Sequence, residues 1–300
     1  MKAMILAAGY GTRLEPLTAK RPKALVPVAN IPMVDRIIAY LKQHGVTEIV
    51  INAHHMHRQI TSHFANPARH GVPIHVAVEE EILGTGGGIK NVEDFWDDEP
   101  FIVINVDILT DIDISMAMER HWQSKALATL VLHHYPQFNV VCINTEGHVD
   151  QFKEKTGPGL LAFTGIHVLS QAVLDYIPRG AFYSIIDVYR RIIQDKGTVT
   201  SYISKGHYWR DIGTIESYIQ ANMDMLTNHK ILVGQDAAVH PTASLSGWVI
   251  VGHKCSVGEG AHVEDSIFWD GVQVGKGAIV ANAVVTQDVK DWEEVKSQVL

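Results

Sequence analysis

Apolar and polar positions along the first 130 residues alternate between two periods. Residues 2–8 read as a strand that is apolar from Met4 to Ala8. Over 31–44 the residues Val34, Ile37, Ile38 and Leu41 recur at helical spacing on one face. Strands are predicted again at 48–52, 74–78 and 101–106, with helices over 56–64 and 87–96. This βαβ alternation, with strands that are apolar throughout, predicts an α/β fold: a Rossmann-like mixed, mostly parallel sheet with helices on both faces. Ligands of such sheets sit at the carboxyl ends of the strands. From 126 to 204 the pattern turns antiparallel, with hairpins expected around Gly147 and Gly159 and helices over 185–194 and 215–226. Beyond 230 a third period takes over. Val239, Leu245, Val251, Val257 and Val263 stand six residues apart, and Phe268, Val274 and Val280 resume the spacing after a one-residue slip. Aliphatics at a period of six predict a short parallel β-helix of hexapeptide turns, two to three coils long. The expected domains are therefore 1–230 and 231–300.

Composition narrows the partners. The formal net charge of −8 argues against nucleic acid and anionic membranes, both of which need basic patches. No apolar run approaches the ~20 residues that span a bilayer, and the apolar start is too short for a signal peptide. Cys142 and Cys255 suit free buried thiols in a reducing cytoplasm better than a disulfide framework. The densest histidines, His54, His55 and His57, and then His133 and His134, have no carboxylate or cysteine at a recognisable ligand spacing. They are expected to be solvated or packed.

Candidate chemistry begins where the first strand ends. Leu6-Ala7-Ala8-Gly9-Tyr10-Gly11-Thr12-Arg13-Leu14-Glu15-Pro16-Leu17-Thr18 runs on to Arg21-Pro22-Lys23. Glycines at 9 and 11 let backbone N–H groups approach a polyphosphate that a Cβ would obstruct. Arg13 offers a fork of donors and Lys23 a compact charge. No Gly-Lys-Ser/Thr follows, so this is not a Walker A loop. A Gly-x-Gly pair alone is an ordinary turn. The extended pattern Gly-x-Gly-Thr-Arg-Leu-x-Pro-Leu-Thr followed by Pro-Lys resembles the signature of the sugar-1-phosphate nucleotidylyltransferases, or NDP-sugar pyrophosphorylases, and the resemblance continues along nearly the whole chain. The amino-terminal half resembles both mannose-1-phosphate guanylyltransferases and N-acetylmuramate-1-phosphate uridylyltransferases.

The resemblance implies a site residue by residue. Leu6, Ala8, Gly9, Gly11, Thr12, Arg13 and Lys23 would hold the nucleotide, with GTP or UTP favoured. Gly84, Thr85, Gly86 and Gly87 would meet the base; four glycines among residues 84–88 disfavour any regular element, so a loop is expected there. Asp107 would ligate Mg²⁺, although Val106 stands where the family often has glycine. Asp211, in Trp209-Arg210-Asp211-Ile212-Gly213-Thr214, would complete the metal site, or else would be a helix N-terminal residue behind an N-cap at Thr214. Glu154 and Lys155 would take the sugar and its phosphate, with Thr156 where a proline is common. Gly165 would pass beside the sugar, and Thr164 would tune its choice. Arg13, Lys23, Asp107 and Asp211 then form the catalytic set of an enzyme that makes an NDP-sugar from a sugar 1-phosphate and an NTP. Two alternatives are a catalytically silent sensor on the same fold and a bifunctional enzyme whose β-helix transfers acyl groups, with His240, His253 or His262 available. The β-helix is expected to pack on the catalytic domain and to drive formation of a homo-oligomer.

Overall fold

The computed structural model describes residues 1–66, 69–227 and 229–300. The chain packs as two compact units. One comprises Met1–Tyr10, Pro22–Ala24 and Val34–Asp211; the other comprises Gly11–Arg21, Leu25–Met33 and Ile212–Leu300.

The first unit is built on a mixed sheet. Its strands run in the order Val149–Phe152, Asn139–Ile143, Leu161–Leu169, Phe101–Asn105, Lys2–Leu6, Glu48–Ala53, Ile74–Val78. The last four are mutually parallel, with Leu6 opposite Asn52 on one side and Asn105 on the other. Ala3, Met4 and Ile5 of the central strand are fully buried, as an apolar strand covered on both faces must be. Leu161–Leu169 pairs antiparallel to Phe101–Asn105, and Ala128–His133 and Val199–Ser204 extend the sheet behind it. The chain steps outward from the first strand to Glu48–Ala53 and Ile74–Val78, then returns to the opposite side as Phe101–Asn105. That reversal leaves a crevice at the strands' carboxyl ends, where a parallel sheet places ligands.

Helices α1 (Met33–Gln43), α2 (His57–His63), α3 (Gly84–Asn91), α4 (Ile114–Ser124) and α5 (Ile185–Gln194) accompany the sheet. The anticipated face of α1 is buried at Val34, Ile37, Ile38 and Leu41. Ser184 caps α5 by accepting the Ile186 N–H, and α5 buries Ile185, Val188, Tyr189 and Ile192. Gly147 turns a hairpin between Asn139–Ile143 and Val149–Phe152, as the sequence suggested. Gly159 does not: Leu161–Leu169 passes over its predecessor and pairs with Asn139–Ile143, Phe101–Asn105 and Ala128–His133.

The second unit joins α6 (Ile215–Met225) to a stack of parallel strands. Ile231 lies opposite Val249, Ala238 opposite Ser256 and Ser244 opposite His262, a register of 18 residues. Beyond them His262 lies opposite Ile279, Ser256 opposite Gln273 and Ile267 opposite Val284, a register of 17. The one-residue slip in the sequence is this shortened layer. Val257 above Val274, Val263 above Val280, and Val251, Phe268 and Val285 in one column fill the interior. Among the described residues no helix is long and apolar enough to cross a membrane. Cys255 is buried and Cys142 half-buried, both as free thiols.

Candidate active site

Three segments far apart in sequence meet at the carboxyl end of Phe101–Asn105. The Val106 N–H donates to the Leu6 carbonyl at 3.1 Å, which fixes the turn that presents Asp107. Lys23 donates from Nζ to Asp107 Oδ2 at 2.5 Å, with side chains 11 % and 15 % exposed. Two candidates separated by 84 residues are thereby in direct contact. Beyond Asp107, Ile108–Thr110 pairs antiparallel with Trp209–Asp211, placing Asp211 opposite Ile108. Asp211 therefore ends a strand beside the residue that follows Asp107. The helix-terminus reading of Asp211 is corrected accordingly: Thr214 is the N-cap of α6, accepting the Ser217 N–H, and Asp211 precedes that helix altogether.

Residues 164–165 close the same cluster. The Trp209 indole donates to the Thr164 carbonyl at 3.0 Å. Gly165 has φ +76°, and a Cβ there would lie 2.6 Å from Asn105 Nδ2. Glycine is required both by the left-handed backbone and by the side chain packed on it. Thr164 is fully buried and its hydroxyl donates to the Val131 carbonyl, so it faces the sheet interior and does not present that hydroxyl to a sugar. Glu154 and Lys155 stay exposed on the turn that precedes Leu161–Leu169, and no hydrogen bond or ion pair among the described residues holds them to the Asp107 cluster.

A second arrangement was not visible in the sequence. Asn52, 2 % exposed, accepts the Ala7 N–H at 2.7 Å and donates to Glu79 Oε1 at 2.7 Å. Glu79, 3 % exposed, accepts the Leu83 N–H with its other oxygen at 3.0 Å. This buried chain ties the end of the first strand to the entry of α3. A polar residue ending an apolar strand, as Asn52 does, was the only signal for it.

The glycine run itself is corrected from loop to helix, since Gly84–Asn91 is α3. The Gly86 and Gly87 N–H groups both donate to the Tyr183 carbonyl, and Thr85 Oγ1 accepts the Ile185 N–H. A Cβ on Gly87 would lie 2.5 Å from the Ala181 carbonyl oxygen, and one on Gly88 2.7 Å from Asn52 Nδ2 and 2.8 Å from Glu79 Oε1. The glycines are there because backbone and buried side chains pack against the helix where side chains would stand. Gly84 and Thr85 are half-exposed, whereas Gly86 and Gly87 are buried.

In the second unit Gly11, at φ +73°, starts the one-turn helix Thr12–Leu14, and the Thr18 hydroxyl donates back to the Gly11 carbonyl at 2.9 Å. Leu14 and Leu17 are buried while Thr12 and Arg13 face outward. A Cβ on Gly9 would meet no atom within 4 Å. The Arg21 guanidinium lies 4.5 Å over the Trp269 ring, whose indole donates to the Tyr218 hydroxyl at 2.9 Å. Burial pushes the Tyr218 phenol upward, so it remains protonated. Asn30 donates to the Val251 carbonyl at 2.8 Å. The stacked strands thus belong to the same compact unit as the arginine loop, a grouping that the sequence did not disclose.

Residues 2–228 match the family described as Nucleotidyl transferase, and 227–300 match the GMPPB C-terminal domain. The chain belongs to the nucleotidyl transferase family. Members of this family generally use a divalent metal ion. The UTP--glucose-1-phosphate uridylyltransferase of Synechocystis sp. is 28% identical over 95% of this chain and 87% of its own length. The mannose-1-phosphate guanylyltransferase of Mycobacterium tuberculosis is 30% identical over 93% of this chain and 82% of its own. Among solved structures, HddC from Yersinia pseudotuberculosis complexed with GMP-PN superposes with a TM-score of 0.65 at 25% identity, covering 75% of this chain and 99% of that one. The chain is accordingly an enzyme of the nucleotidyltransferase class, and the family's first module spans the strands and turns that carry Lys23, Asp107 and Asp211.

Proposed function

We propose that this enzyme joins a sugar 1-phosphate to a nucleoside triphosphate, forming an NDP-sugar and releasing pyrophosphate. The observation that carries the reading is the Lys23 ammonium on the Asp107 carboxylate at the crevice of the parallel strands, with Asp211 on the adjoining strand. A cation and two carboxylates at a strand-end crevice suit crowded phosphates, and an anionic phosphate nucleophile needs no general base.

The donor set of Asp107 and Asp211, hard oxygens on partly exposed side chains, suits Mg²⁺, which when bound supplies charge neutralisation at the reacting phosphates. Lys23 exchanges its carboxylate partner for oxygens of the triphosphate. Arg13 presents its guanidinium fork to the leaving pyrophosphate, while backbone groups of Leu6, Ala8, Gly9, Gly11 and Thr12 line the nucleotide's path. Gly84 and Thr85 meet the base, since Gly86 and Gly87 have spent their N–H groups on Tyr183. Lys155 takes the incoming phosphate and Glu154 the sugar hydroxyls. With the Thr164 hydroxyl committed to Val131, that segment contributes the close backbone approach at Gly165. The relatives named guanylyl- and uridylyltransferases, and the GMP-PN complex of the structural neighbour, support GTP or UTP as the triphosphate.

The 18- and 17-residue registers support a left-handed parallel β-helix within 231–300, following a catalytic module over 1–230. Its stacked ends suit self-association into a homo-oligomer. The two free thiols agree with a cytoplasmic location. The test is pyrophosphate release from a panel of nucleoside triphosphates crossed with sugar 1-phosphates, with Mg²⁺ and with EDTA. Release that requires one triphosphate, one sugar phosphate and the metal supports the proposal. Binding of nucleotide without release on any pair refutes it in favour of a sensor.

A further inference from the structure

The histidines sort into two kinds once folded. His54 sets Nδ1 against the Glu79 carbonyl at 2.9 Å, and His133 sets its Nδ1 against the Ser204 hydroxyl at 3.0 Å. A different group lies on the first unit. Asp35 stands in the first turn of α1, His63 is the last residue of α2, and His70 follows seven residues later. His63 Nε2 lies 2.7 Å from Asp35 Oδ1 and His70 Nε2 lies 4.0 Å from the same oxygen. All three donor atoms fall within 4.8 Å of one another.

These side chains are only 13 %, 13 % and 8 % exposed. His70 Nε2 is buried and has no hydrogen-bond partner among the described residues. A buried polar nitrogen aimed at a carboxylate and a second imidazole, yet bonded to neither, is a costly arrangement for a folded chain. Beside it the apolar Phe64 ring packs on the His63 and His70 rings at centroid distances of 4.9 and 5.2 Å, and the two imidazoles lie 5.9 Å apart.

We propose that Asp35, His63 and His70 bind a divalent transition-metal ion of the zinc type, at a site independent of the phosphate-handling carboxylates. Two imidazoles and one carboxylate suit zinc and its neighbours, whereas Mg²⁺ prefers oxygen alone. Zinc–ligand distances of about 2.0–2.1 Å in a tetrahedral site set donor atoms about 3.3 Å apart. The observed 2.7 and 4.0 Å to Asp35 Oδ1 bracket that value. Asp35 keeps its other oxygen 3.4 Å from the Arg69 guanidinium, a contact that orients the carboxylate from behind. Lys42, the other nearby cation, donates to the His70 carbonyl and not to the carboxylate. Three protein ligands leave a fourth position for water. The ion would clasp α1, the end of α2 and the segment carrying His70, a holding role outside the transfer chemistry.

Titration of Co²⁺ into the full-length chain tests this, with excess Mg²⁺ present to occupy oxygen-only sites. The expected result is one equivalent of Co²⁺ per chain with the intense visible absorption of a four-coordinate ion, bleached stoichiometrically by Zn²⁺. His70→Gln and His63→Gln should each lose that band at one equivalent while pyrophosphate release stays at the wild-type rate. Absence of a saturable four-coordinate band in the wild-type chain overturns the proposal whatever the variants do. A band that survives both substitutions overturns it equally.

Discussion

Replacing Gly88 by alanine puts a methyl group where two buried polar side chains already stand. The new Cβ lies 2.7 Å from Asn52 Nδ2 and 2.8 Å from Glu79 Oε1, and neither atom is a free end, since each is bonded to the other. Overpacking of this kind costs about 1–3 kcal/mol, and weakening a hydrogen bond to a charged group costs about 1.5–3 kcal/mol. Against that, alanine gains about 1 kcal/mol over glycine in a helix interior. The net expectation is a loss of about 2–4 kcal/mol. Asn52→Ala strands the Ala7 N–H and removes a donor from Glu79, a loss of about 3 kcal/mol, yet it also removes the nearer of the two atoms the methyl group would meet and frees Glu79 Oε1 to move away. The double variant should therefore be less destabilised than the sum of the two single variants, by a coupling of about 2 kcal/mol. Equilibrium urea unfolding of the four proteins measures the cycle. Losses that add to within about 0.5 kcal/mol would refute the idea that the glycine is there to accommodate the Asn52–Glu79 pair.

Lys23→Met and Asp107→Asn should each lower turnover by about 10²–10³, the effect of losing one charge-assisted contact to the transition state. Steady-state pyrophosphate release with each variant decides it, and near-normal turnover would refute the assignment. Gly165→Ala should destabilise by at least about 2 kcal/mol, because the residue combines a left-handed backbone with a 2.6 Å approach to Asn105; an unchanged unfolding midpoint would contradict this. Acid should weaken the fold through His167 and His121, which are 1 % and 2 % exposed. Burial lowers them to about 3 and about 4. The unfolded chain protonates both below about 6.5, so the native state holds fewer protons in between. Their contribution is complete above about pH 6.5 and is lost as pH falls toward 4, by up to about 3–4 kcal/mol between pH 7 and 5. Urea midpoints at the two pH values check the slope, which should shrink in His167→Gln.

Periodicity made α1, α2, α5, α6 and the parallel strands legible because their apolar faces are contiguous in sequence: α5 and Ile74–Val78 lie within their expected bounds, whereas α4 was not anticipated. The hexapeptide spacing likewise disclosed the column of Val251 and Phe268, since each layer repeats the same inward position. What failed to show was decided by neighbours distant in the chain. Propensity condemns a helix at Gly84–Gly88, yet the backbone of 181–185 occupies the space where side chains would stand. The engagement of the Thr164 hydroxyl with the Val131 carbonyl, 33 residues away in the chain, is likewise invisible in the sequence. Asn52, Glu79 and the trio of Asp35, His63 and His70 carry no motif, because their spacings are set by the turns between elements. The contact of Lys23 with Asp107 spans 84 residues, so sequence could name both residues without pairing them.

The central claim is that a sugar phosphate oxygen becomes the bridge between the two phosphates of the product. Sugar 1-phosphate labelled with ¹⁸O at its three non-bridging phosphate oxygens, turned over with the active triphosphate and analysed by mass spectrometry, tests it most directly. The account predicts an NDP-sugar that retains all of the label and pyrophosphate that carries none. Label in the pyrophosphate, or a nucleoside monophosphate in place of the sugar nucleotide, would contradict it.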